Sequence, residues 1–417
     1  MQASTHMNNN TIMNKAMTKK TVLFVAEAVT LAHFGRMMTL ARSLDPTQYR
    51  IVVASDPRYL SLEQPFPFDF EPLWTIPGEQ FARALAKGQV VYDTKTLARY
   101  IEDDLQVLAK IKPDLVVGDF RLSLAVSAPC AGVPYAAVVN AYWSPFANTA
   151  YPVPDLPFTK ILGLTLGQQL FNAVRPLAFA LHARPLNTLR RRHGLTPIGN
   201  DLRKVYTWAD HTLYADTPEL VPCTKLPPNH HYLGPVLWST KTDLPPWWDQ
   251  LPDDKPIVFA SPGSSGQVNL LSRIIHALRE LCITLVVATA GRGELVKASD
   301  NVFTADYLPI QAVIQKSQLI ICNGGSLTTY EALKAGVPIL GLTSNMDQQL
   351  NMQAIEKTGA GITLRSQSSS DTDIAQAANT LLTEKSYHNA AKQAAHTLSR
   401  YDSSQRFQGI VAKLVNE

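Results

Sequence analysis

The chain has 417 residues, of which 46% are hydrophobic and 17% are charged, and its formal net charge is +4. Disordered chains combine few apolar residues with a high net charge, so this composition excludes that class of protein. The small positive surplus also argues against a nucleic-acid partner, because nucleic-acid-binding domains usually carry a basic stripe. At about 150 residues per domain, the length predicts two or three globular domains.

The N-terminal segment is polar and lacks the apolar core of a signal peptide. Residues 1–20 are therefore predicted to be a disordered leader. The cysteines form no CxxC pair, which argues against structural zinc and a disulfide framework. Apolar neighbours predict that Cys282 and Cys322 are small buried side chains. This cysteine usage favours a cytoplasmic location.

The first half of the chain alternates between apolar runs and amphipathic stretches. Residues 21–26 and 50–55 are predicted strands that flank a helix over residues 31–45, which is a βαβ unit with a parallel, doubly buried sheet. A helix over residues 101–111 and strands over residues 114–118 and 135–140 continue the pattern. We therefore predict an α/β domain.

Two segments of this half raise the question of membrane contact. Residues 122–154 contain no charged residue, but five prolines interrupt them, so we predict no transmembrane segment. Residues 160–192 have helical periodicity and a basic end. The part from Arg175 to Arg192, both basic and apolar, is compatible with contact with a membrane or a lipid acceptor, yet a basic C-terminus also complements the helix macrodipole, and the sequence favours the second interpretation.

Nine prolines between residues 216 and 256 predict a stiff connector. The strand and helix alternation then restarts and continues to the end of the chain. We predict an N-terminal domain over residues 21–232, a linker over 233–252 and a C-terminal domain over 253–417. Two parallel sheets joined in this way leave a cleft at their carboxyl ends, where ligands of open α/β sheets bind.

The most informative motif follows the strand over residues 319–322. Asn323-Gly324-Gly325-Ser326 leads directly into a helix. Glycines let the backbone approach a ligand closely, and the helix start offers unpaired N–H groups and a positive dipole end. This is a diphosphate-binding arrangement, although a simple glycine turn with Ser326 as N-cap is the alternative.

Several motifs together resemble those of the family 1, UDP-glycosyltransferase-like GT-B enzymes of the bacterial small-molecule type. The resemblance covers the chain from about residue 21 to its end. The matching pieces are Tyr232-Leu233-Gly234-Pro235, Ser261-Pro262-Gly263-Ser264-Ser265, Tyr307-Leu308-Pro309, Asn323-Gly324-Gly325-Ser326, Glu331, Ala335-Gly336-Val337-Pro338 and Asp347-Gln348. The resemblance implies two Rossmann-like parallel-sheet domains that face each other across a cleft. It also implies that the N-terminal domain binds the acceptor, that the C-terminal domain binds the nucleotide sugar, and that the last helix packs back on the N-terminal domain.

The resemblance also assigns the donor site. Glu331 would hold the ribose hydroxyls, and Asp347 with Gln348 would bind the sugar hydroxyls. Tyr307, followed by Leu308 and Pro309, would lie against the base. The diphosphate would be held by residues of the two glycine-containing loops: Ser264, Ser265, Asn323, Gly324, Gly325 and Ser326. Asn323 stands where the family has a histidine, and an amide carries no charge toward the phosphate.

The N-terminal half supplies the predicted catalytic base. His33 follows the first strand and opens the first helix, and a neutral imidazole can remove a proton from an acceptor hydroxyl. Asp119 follows the strand over residues 114–118 at the same sheet edge. The resemblance makes Asp119 the carboxylate that orients His33 and stabilises its imidazolium. The alternatives are a polar helix-start residue for His33 and an N-cap for Asp119.

Aromatic side chains in or beside loops after the N-terminal strands are the candidate acceptor site: Trp74, Phe81, Tyr142, Trp143 and Phe146. Their density suits an apolar acceptor, although core packing is an equally simple role. Asp371-Thr372-Asp373 matches a metal-binding DxD string, but its place before a helical stretch predicts N-capping instead. We therefore predict no cofactor and no metal.

Taken together, the sequence predicts an inverting, metal-independent glycosyltransferase. It would move a sugar from a UDP- or dTDP-linked donor to a hydroxyl of a small, apolar acceptor, in natural-product or glycolipid glycosylation. Two alternatives stay open at this point. One is a GT-B-type nucleotide-sugar epimerase or hydrolase, and the other is a non-catalytic auxiliary protein that binds nucleotide sugars. The sugar, the nucleobase, the acceptor and the oligomeric state are left open by the sequence.

Overall fold

A computed structural model gives the structure of residues 19–155, 157–263, 269–291 and 301–416. These residues form two parallel sheets, one in each half of the chain, and helices cover the sheets. The predicted α/β class with two parallel-sheet domains is therefore confirmed.

The first sheet has seven strands in the order β3-β2-β1-β4-β5-β6-β7. The strands are β1 (Lys20–Ala26), β2 (Tyr49–Ser55), β3 (Asp69–Pro72), β4 (Leu115–Asp119), β5 (Tyr135–Val139), β6 (His211–Tyr214) and β7 (His230–Tyr232). The helices are α1 (Leu31–Ser43), α2 (Gly78–Ala86), α3 (Thr94–Ile111), α4 (Leu124–Ala131), α5 (Pro157–Arg192) and α6 (Leu202–Tyr206). Because β1 and β4 are central neighbours, the chain segments after them emerge side by side at one sheet edge.

The central strand β1 is apolar because both of its faces are covered. Leu23 and Val25 lie in one core cluster, whereas Val22, Phe24 and Ala26 lie in the cluster on the other face. Successive side chains of a strand point to opposite faces, so a strand between two helical layers must be continuously apolar.

The second sheet has six strands in the order β10-β9-β8-β11-β12-β13. The strands are β8 (Ile257–Ser261), β9 (Thr284–Ala288), β10 (Val302–Ala305), β11 (Leu319–Cys322), β12 (Ile339–Thr343) and β13 (Gly361–Arg365). The helices are α7 (Asn269–Leu278), α8 (Ile310–Lys316), α9 (Ser326–Ala335), α10 (Met346–Thr358), α11 (Asp371–Thr383), α12 (Lys385–Leu398) and α13 (Ser403–Leu414). Three residues separate the end of β11 from the start of α9, and two separate the end of β12 from the start of α10, so the N-termini of both helices lie at the carboxyl edge of this sheet.

The last helix belongs structurally to the first half. Phe407 of α13 is fully buried, and its ring lies 5.9 Å from that of Phe24 in β1. Val411 joins the same core cluster as Phe34 of α1. The C-terminal helix therefore completes the hydrophobic core of the first domain.

The segment between the two sheets packs tightly on α1. The Trp238 indole lies against Gly35, where an added Cβ would come within 2.8 Å of the ring. The indole Nε1 donates to Glu63 at 2.7 Å. Gly35 is therefore required by a close approach, and the contact fixes the helix that carries His33.

Several polar contacts join the two halves directly. Trp143 Nε1 donates to Asp347 at 2.7 Å, and Arg365 donates to Asp155 at 2.5 Å. The Tyr330 hydroxyl donates to the buried Asp216 carboxylate. These contacts set the distance between the two sheet edges.

The structure differs from the predictions in a few elements. Strands β3, β6, β7 and β13 were not predicted, because they are short and carry polar residues. The long helix α5 has a kink at Gly163, where φ is 72° and ψ is 170°. The prediction of burial is wrong for Cys282, which is exposed in the bend before β9, whereas Cys322 is buried. No helix within the described ranges is long and apolar enough to span a membrane.

Candidate active site

A cleft lies between the carboxyl edges of the two sheets. We call the side formed by residues 19–240 the first-domain wall and the side formed after residue 256 the second-domain wall. The first-domain wall includes His33, Arg36, Phe81, Leu85, Asp119, Phe120, Asn140, Trp143 and Tyr206. The second-domain wall includes Gly263, Tyr307, Asn323, Gly325, Ser326, Asn345, Asp347 and Gln348.

The predicted catalytic pair is in contact on the first-domain wall. His33 lies in the first turn of α1, and its Nδ1 is 2.8 Å from Oδ1 of Asp119, the last residue of β4. The Asp119 side chain is 1% exposed, whereas that of His33 is 15% exposed and reaches the cleft. The register between β1 and β4 produces this contact, because it brings the ends of the two strands together.

Arg36 is a third member of this group that the sequence analysis missed. Its Nε donates to Asp119 Oδ2 at 2.7 Å, and its Nη2 donates to Oδ1 at 2.9 Å. Its Nη1 donates to Asn140 at 2.8 Å. Arg36 lies one helical turn after His33, so the spacing of three residues was the available signal.

The charges around Asp119 keep it ionised. Burial acts to raise its pKa, but the charges of Arg36 and His33 outweigh burial and hold the pKa below its ordinary value. A carboxylate only accepts hydrogen bonds, so the contact requires a proton on Nδ1 of His33. The lone pair of a neutral His33 then lies on Nε2, the nitrogen needed for accepting a proton from a substrate.

The ring of Phe120 packs against one face of the His33 imidazole. The two rings are stacked at 5.1 Å with 6° between their planes. Phe120 has a φ of 57°, in the left-handed region that a bulky residue rarely adopts. Such strain is typical of functional sites, where surrounding structure enforces it. Phe120 adopts this backbone conformation in the turn that comes directly after Asp119.

The glycine turn on the second-domain wall has the geometry of an anion site. Gly324 has a φ of 80°, and an added Cβ would lie 2.7 Å from Met352 Cγ. Asn323 Oδ1 accepts from Gly325 N–H at 3.2 Å. Gly325 is the N-cap of α9, and this helix has no side-chain cap hydrogen bond among the described residues. The first N–H groups of α9 are therefore available to an anion in the cleft.

Glu331 lies one turn into α9 and does not line the cleft itself. It is 5% exposed, and its Oε1 has no hydrogen-bond partner among the described residues. Burial raises the pKa of this carboxyl to about 7, against the lowering effects of Lys334 and Gln311. A buried, unpartnered carboxylate oxygen is a ready acceptor for ligand hydroxyls.

Asp347 and Gln348 lie in the first turn of α10. Asn345 caps this helix by accepting from Gln348 N–H at 3.1 Å. Gln348 Oε1 accepts from Ser344 N–H at 2.8 Å, which fixes the amide, and its Nε2 has no partner in the described part of the chain. Asp347 accepts from Trp143 across the cleft.

Of the remaining residues predicted for the donor site, some line the cleft and others do not. Tyr307 lines the cleft, and its hydroxyl donates to Ala290 O at 3.1 Å. Pro309 is the N-cap of α8 and Gly324 lies beneath the turn, so neither lines the cleft. Ser264 and Ser265 lie outside the described residues.

The aromatic candidates separate into two groups. Phe81 and Trp143 line the cleft, and Phe120 and Tyr206 join them there. Trp74, Tyr142 and Phe146 do not line it. Trp74 packs beneath Arg99 at 3.6 Å, Tyr142 is 1% exposed, and Phe146 lies against His230 at 5.4 Å.

The acidic string at residues 371–373 has the predicted structural position. Ser370 is the N-cap of α11 and forms a capping box with Asp373, and Asp371 binds Arg273 and His276. Within the described ranges, no three histidine, cysteine or acidic side chains are placed to hold a metal ion. Metal independence stays a prediction.

Comparison with protein families matches residues 270–414 to the erythromycin biosynthesis protein CIII-like C-terminal domain. The PGL/p-HBAD biosynthesis rhamnosyltransferase of Mycobacterium bovis BCG is 50% identical over 385 residues, which are 92% of this chain and 86% of the relative. A relative from the same organism is named an inactive PGL/p-HBAD biosynthesis glycosyltransferase. It is 51% identical over 260 residues, which are 62% of this chain and 71% of the relative.

Comparison with solved structures finds bacterial natural-product enzymes. Spinosyn forosaminyltransferase SpnP superposes with a TM-score of 0.68 at 21% identity, covering 96% of this chain and 100% of the neighbour. Spinosyn rhamnosyltransferase SpnG, complexed with thymidine diphosphate, has a TM-score of 0.66 at 18% identity and covers 94% of this chain and 99% of the neighbour. These superpositions confirm the predicted GT-B fold.

Proposed function

Since the chain belongs to the family 1 GT-B glycosyltransferases with an EryCIII-like C-terminal domain, and is a glycosyltransferase, we propose that it transfers a deoxyhexose such as rhamnose. The donor would be the thymidine diphosphate sugar, and the acceptor a hydroxyl on an apolar, aromatic molecule. The rhamnosyltransferase name of the relative supports the sugar, and the thymidine diphosphate complex of the neighbour supports the nucleotide.

One observation carries the chemistry. His33, oriented by Asp119, lies on one wall of the cleft, and the uncapped N-terminus of α9 lies on the other. The acceptor oxygen attacks the anomeric carbon as its proton passes to His33 Nε2. The bond between that carbon and the phosphate oxygen breaks, and the nucleoside diphosphate leaves with the electron pair. A single displacement of this kind inverts the anomeric carbon.

The leaving group needs stabilisation of negative charge. The N–H groups in the first turn of α9 and the dipole of this helix supply it. We propose that no metal ion is needed for this step. The apolar side chains of Phe81, Leu85 and Tyr206 favour an apolar acceptor beside His33.

We also propose that Glu331 binds the ribose hydroxyls, that Asp347 and Gln348 bind the sugar, and that Tyr307 contacts the base. The unpartnered Glu331 Oε1 and Gln348 Nε2 support the first two roles. A cytoplasmic location is proposed as well. Its support is that Cys130, Cys223, Cys282 and Cys322 are all free.

The test is transfer from defined donors to simple phenols. The chain is incubated with dTDP-rhamnose, UDP-glucose and GDP-mannose, each with and without a 4-alkylphenol and with and without EDTA. Of the three donors, we expect only dTDP-rhamnose to give a phenyl rhamnoside. Its anomeric configuration, measured by NMR, should be opposite to that of the donor, and EDTA should not reduce its yield. Retained configuration contradicts the displacement, loss in EDTA contradicts metal independence, and sugar release without acceptor indicates a hydrolase.

A further inference from the structure

The helix α5 carries an exposed apolar face. Eight of the nine large exposed hydrophobic side chains in the described ranges lie between residues 161 and 181. Five of them follow one face of the helix at spacings of four, four, three and four residues. We call this set the α5 stripe: Leu166, Leu170, Val174, Leu177 and Leu181. At 1.5 Å per residue, it is about 22 Å long.

The opposite face of the same helix explains why the stripe is not a packing defect. Phe171, Phe179, Ala183 and Leu186 are buried in the core of the first domain. Leu177 is 65% exposed and Leu166 is 57% exposed. The helix is therefore anchored on one side and apolar on the other, whereas a helix at the surface of a water-soluble domain normally has a polar outer face. A contiguous exposed apolar patch marks an interaction surface.

The charges around the stripe identify the partner. Between Asp155 and Asp201 the sequence has no acidic residue and six basic ones: Lys160, Arg175, Arg184, Arg190, Arg191 and Arg192. Arg184 continues the stripe three residues after Leu181 and is exposed, as are Arg191 and Arg192. None of these three forms an ion pair with a carboxylate in the described part of the chain. Arg190, in contrast, turns inward and donates to Thr196 O and Ala125 O.

A second copy of the chain does not fit this surface. If two stripes packed together, the arginines of each copy would find no carboxylate on the facing helix, because residues 156–200 contain no acidic residue. Anionic lipid headgroups supply the missing negative charge, and the acyl boundary accepts the leucines. Basic residues beside an apolar helix face are the pattern of helices that lie in a membrane interface.

The stripe lies close to the cleft. Phe179 of α5 contacts the Tyr151 ring at 5.4 Å, and Tyr151 contacts Trp143 at 5.9 Å. Gln168 of α5 accepts from Val153 N–H at 2.8 Å and donates to Tyr151 O at 3.0 Å. Two layers of side chains therefore separate the stripe from Trp143 in the cleft wall.

We propose that the α5 stripe and its arginines dock the protein onto an anionic membrane surface, with the first-domain wall of the cleft held beside the bilayer. The docking does not depend on the proposed reaction. Its benefit does rest on the proposed function, because an apolar acceptor could then reach His33 without crossing water.

The test is flotation of the full chain with phosphatidylcholine vesicles, with and without phosphatidylglycerol, in the absence of any substrate. We expect binding to the anionic vesicles only, and loss of that binding at high salt. The double substitution Leu177→Glu and Leu181→Glu should weaken binding by about tenfold or more, because two leucines lose their apolar environment. Leu244→Glu is the matched control, since Leu244 is 48% exposed but belongs to the chain segment that connects the two sheets and not to α5.

A second variant separates charge from apolar contact. Arg184→Glu with Arg191→Glu should abolish the preference for anionic vesicles. Circular dichroism and thermal unfolding verify that each variant is folded. Three results would each overturn the proposal. They are equal binding of the wild type and the double leucine variant, no binding to either kind of vesicle, and a dimer in sedimentation velocity that the leucine variant disrupts.

Discussion

The first-domain wall and the second-domain wall of the cleft hold their polar groups in different ways. On the first, the side chains of His33, Arg36, Asp119 and Asn140 bond to one another, and Asn140 also donates to Asp216 at 3.3 Å. On the second, Gln348 Nε2 and the nearby Glu331 Oε1 have no partner among the described residues, and α9 has no side-chain cap.

This difference indicates two kinds of site. A connected network of buried charges holds its members in one geometry, as proton transfer requires. Buried polar atoms without partners are costly, and a ligand that pairs with them removes the cost. The first wall is therefore prepared before substrate arrives, whereas the second wall is completed by its ligand.

The largest effect should come from His33→Ala. We expect kcat to fall by about 10²- to 10⁴-fold, because the acceptor loses its general base. The affinity for dTDP should not change, because His33 lies on the other wall. Steady-state kinetics and calorimetry measure the two quantities. His276→Ala is the control, since that histidine is exposed and distant from the cleft. A weaker dTDP affinity in His33→Ala would contradict the proposal that the two walls bind different substrates.

The next effect tests the connected network. Arg36→Met leaves the buried Asp119 without its bidentate partner, and breaking a buried ion pair costs about 3–5 kcal/mol in the free energy of unfolding. Arg50→Met removes an exposed pair with Asp69 and should cost only about 0–1 kcal/mol. Denaturant unfolding measures both. Similar values for the two variants would contradict the network.

The same variant has a predicted pH dependence. In the wild type, the pKa of Asp119 lies below its ordinary value, so the stabilisation by this pair is present above about pH 4 and is lost as the pH falls through the lowered pKa. Without Arg36, burial raises that pKa. The acid limb of kcat/KM in Arg36→Met should therefore move to higher pH.

A smaller effect is expected at Glu331. Ribose hydroxyls donate to a carboxylate more strongly than to a carboxylic acid, so dTDP binding should release a proton. The dissociation constant should rise as the pH falls below about 7, the raised pKa of the free protein. Glu331→Gln should remove this dependence and weaken binding by about tenfold or more. Calorimetry from pH 5.5 to 8.5 measures the effect, and the exposed Glu384→Gln is the control.

The smallest expected effect is the difference between Gly324→Ala and Gly132→Ala. The left-handed φ of Gly324 costs a non-glycine residue about 1–3 kcal/mol, and Met352 must also move. Gly132→Ala has a similar φ of 66° with no atom within 4 Å of the added Cβ. The difference between the two free energies of unfolding isolates the crowding beneath the glycine turn at residues 324–325. Equal values would show that the close approach at Gly324 is not important.

Parts of this site could be predicted from the sequence because they follow strands directly. His33, Asp119 and Asn323 each lie near the end of a continuous apolar run, and parallel strands bring such ends together. Arg36 could not be found in this way, because a helical arginine is usually on the solvent side. Its burial depends on Asp119, a residue 83 positions away.

The aromatic side chains show a different limit. Tyr142 and Trp143 are neighbours in the 3₁₀ turn Ala141–Trp143, yet one is buried in the core and the other lines the cleft. Neighbouring residues in a tight turn point in different directions, so composition predicts an aromatic wall but not its members. Phe120 and Tyr206 depend on backbone conformation and on the packing of α6, neither of which has a local sequence pattern.

The helix α13 has a consequence for protein engineering. The polypeptide crosses between the domains twice, once through the segment before β8 and once before Ser403, so the first domain is built from two separate pieces of chain whereas the second is continuous. A fragment ending near residue 232 would leave Phe24 and Phe34 open to water. Chimaeras that exchange the first domain with that of a relative should therefore transplant residues 21–232 and 403–414 together, and affinity tags belong beyond Leu414 only on a spacer.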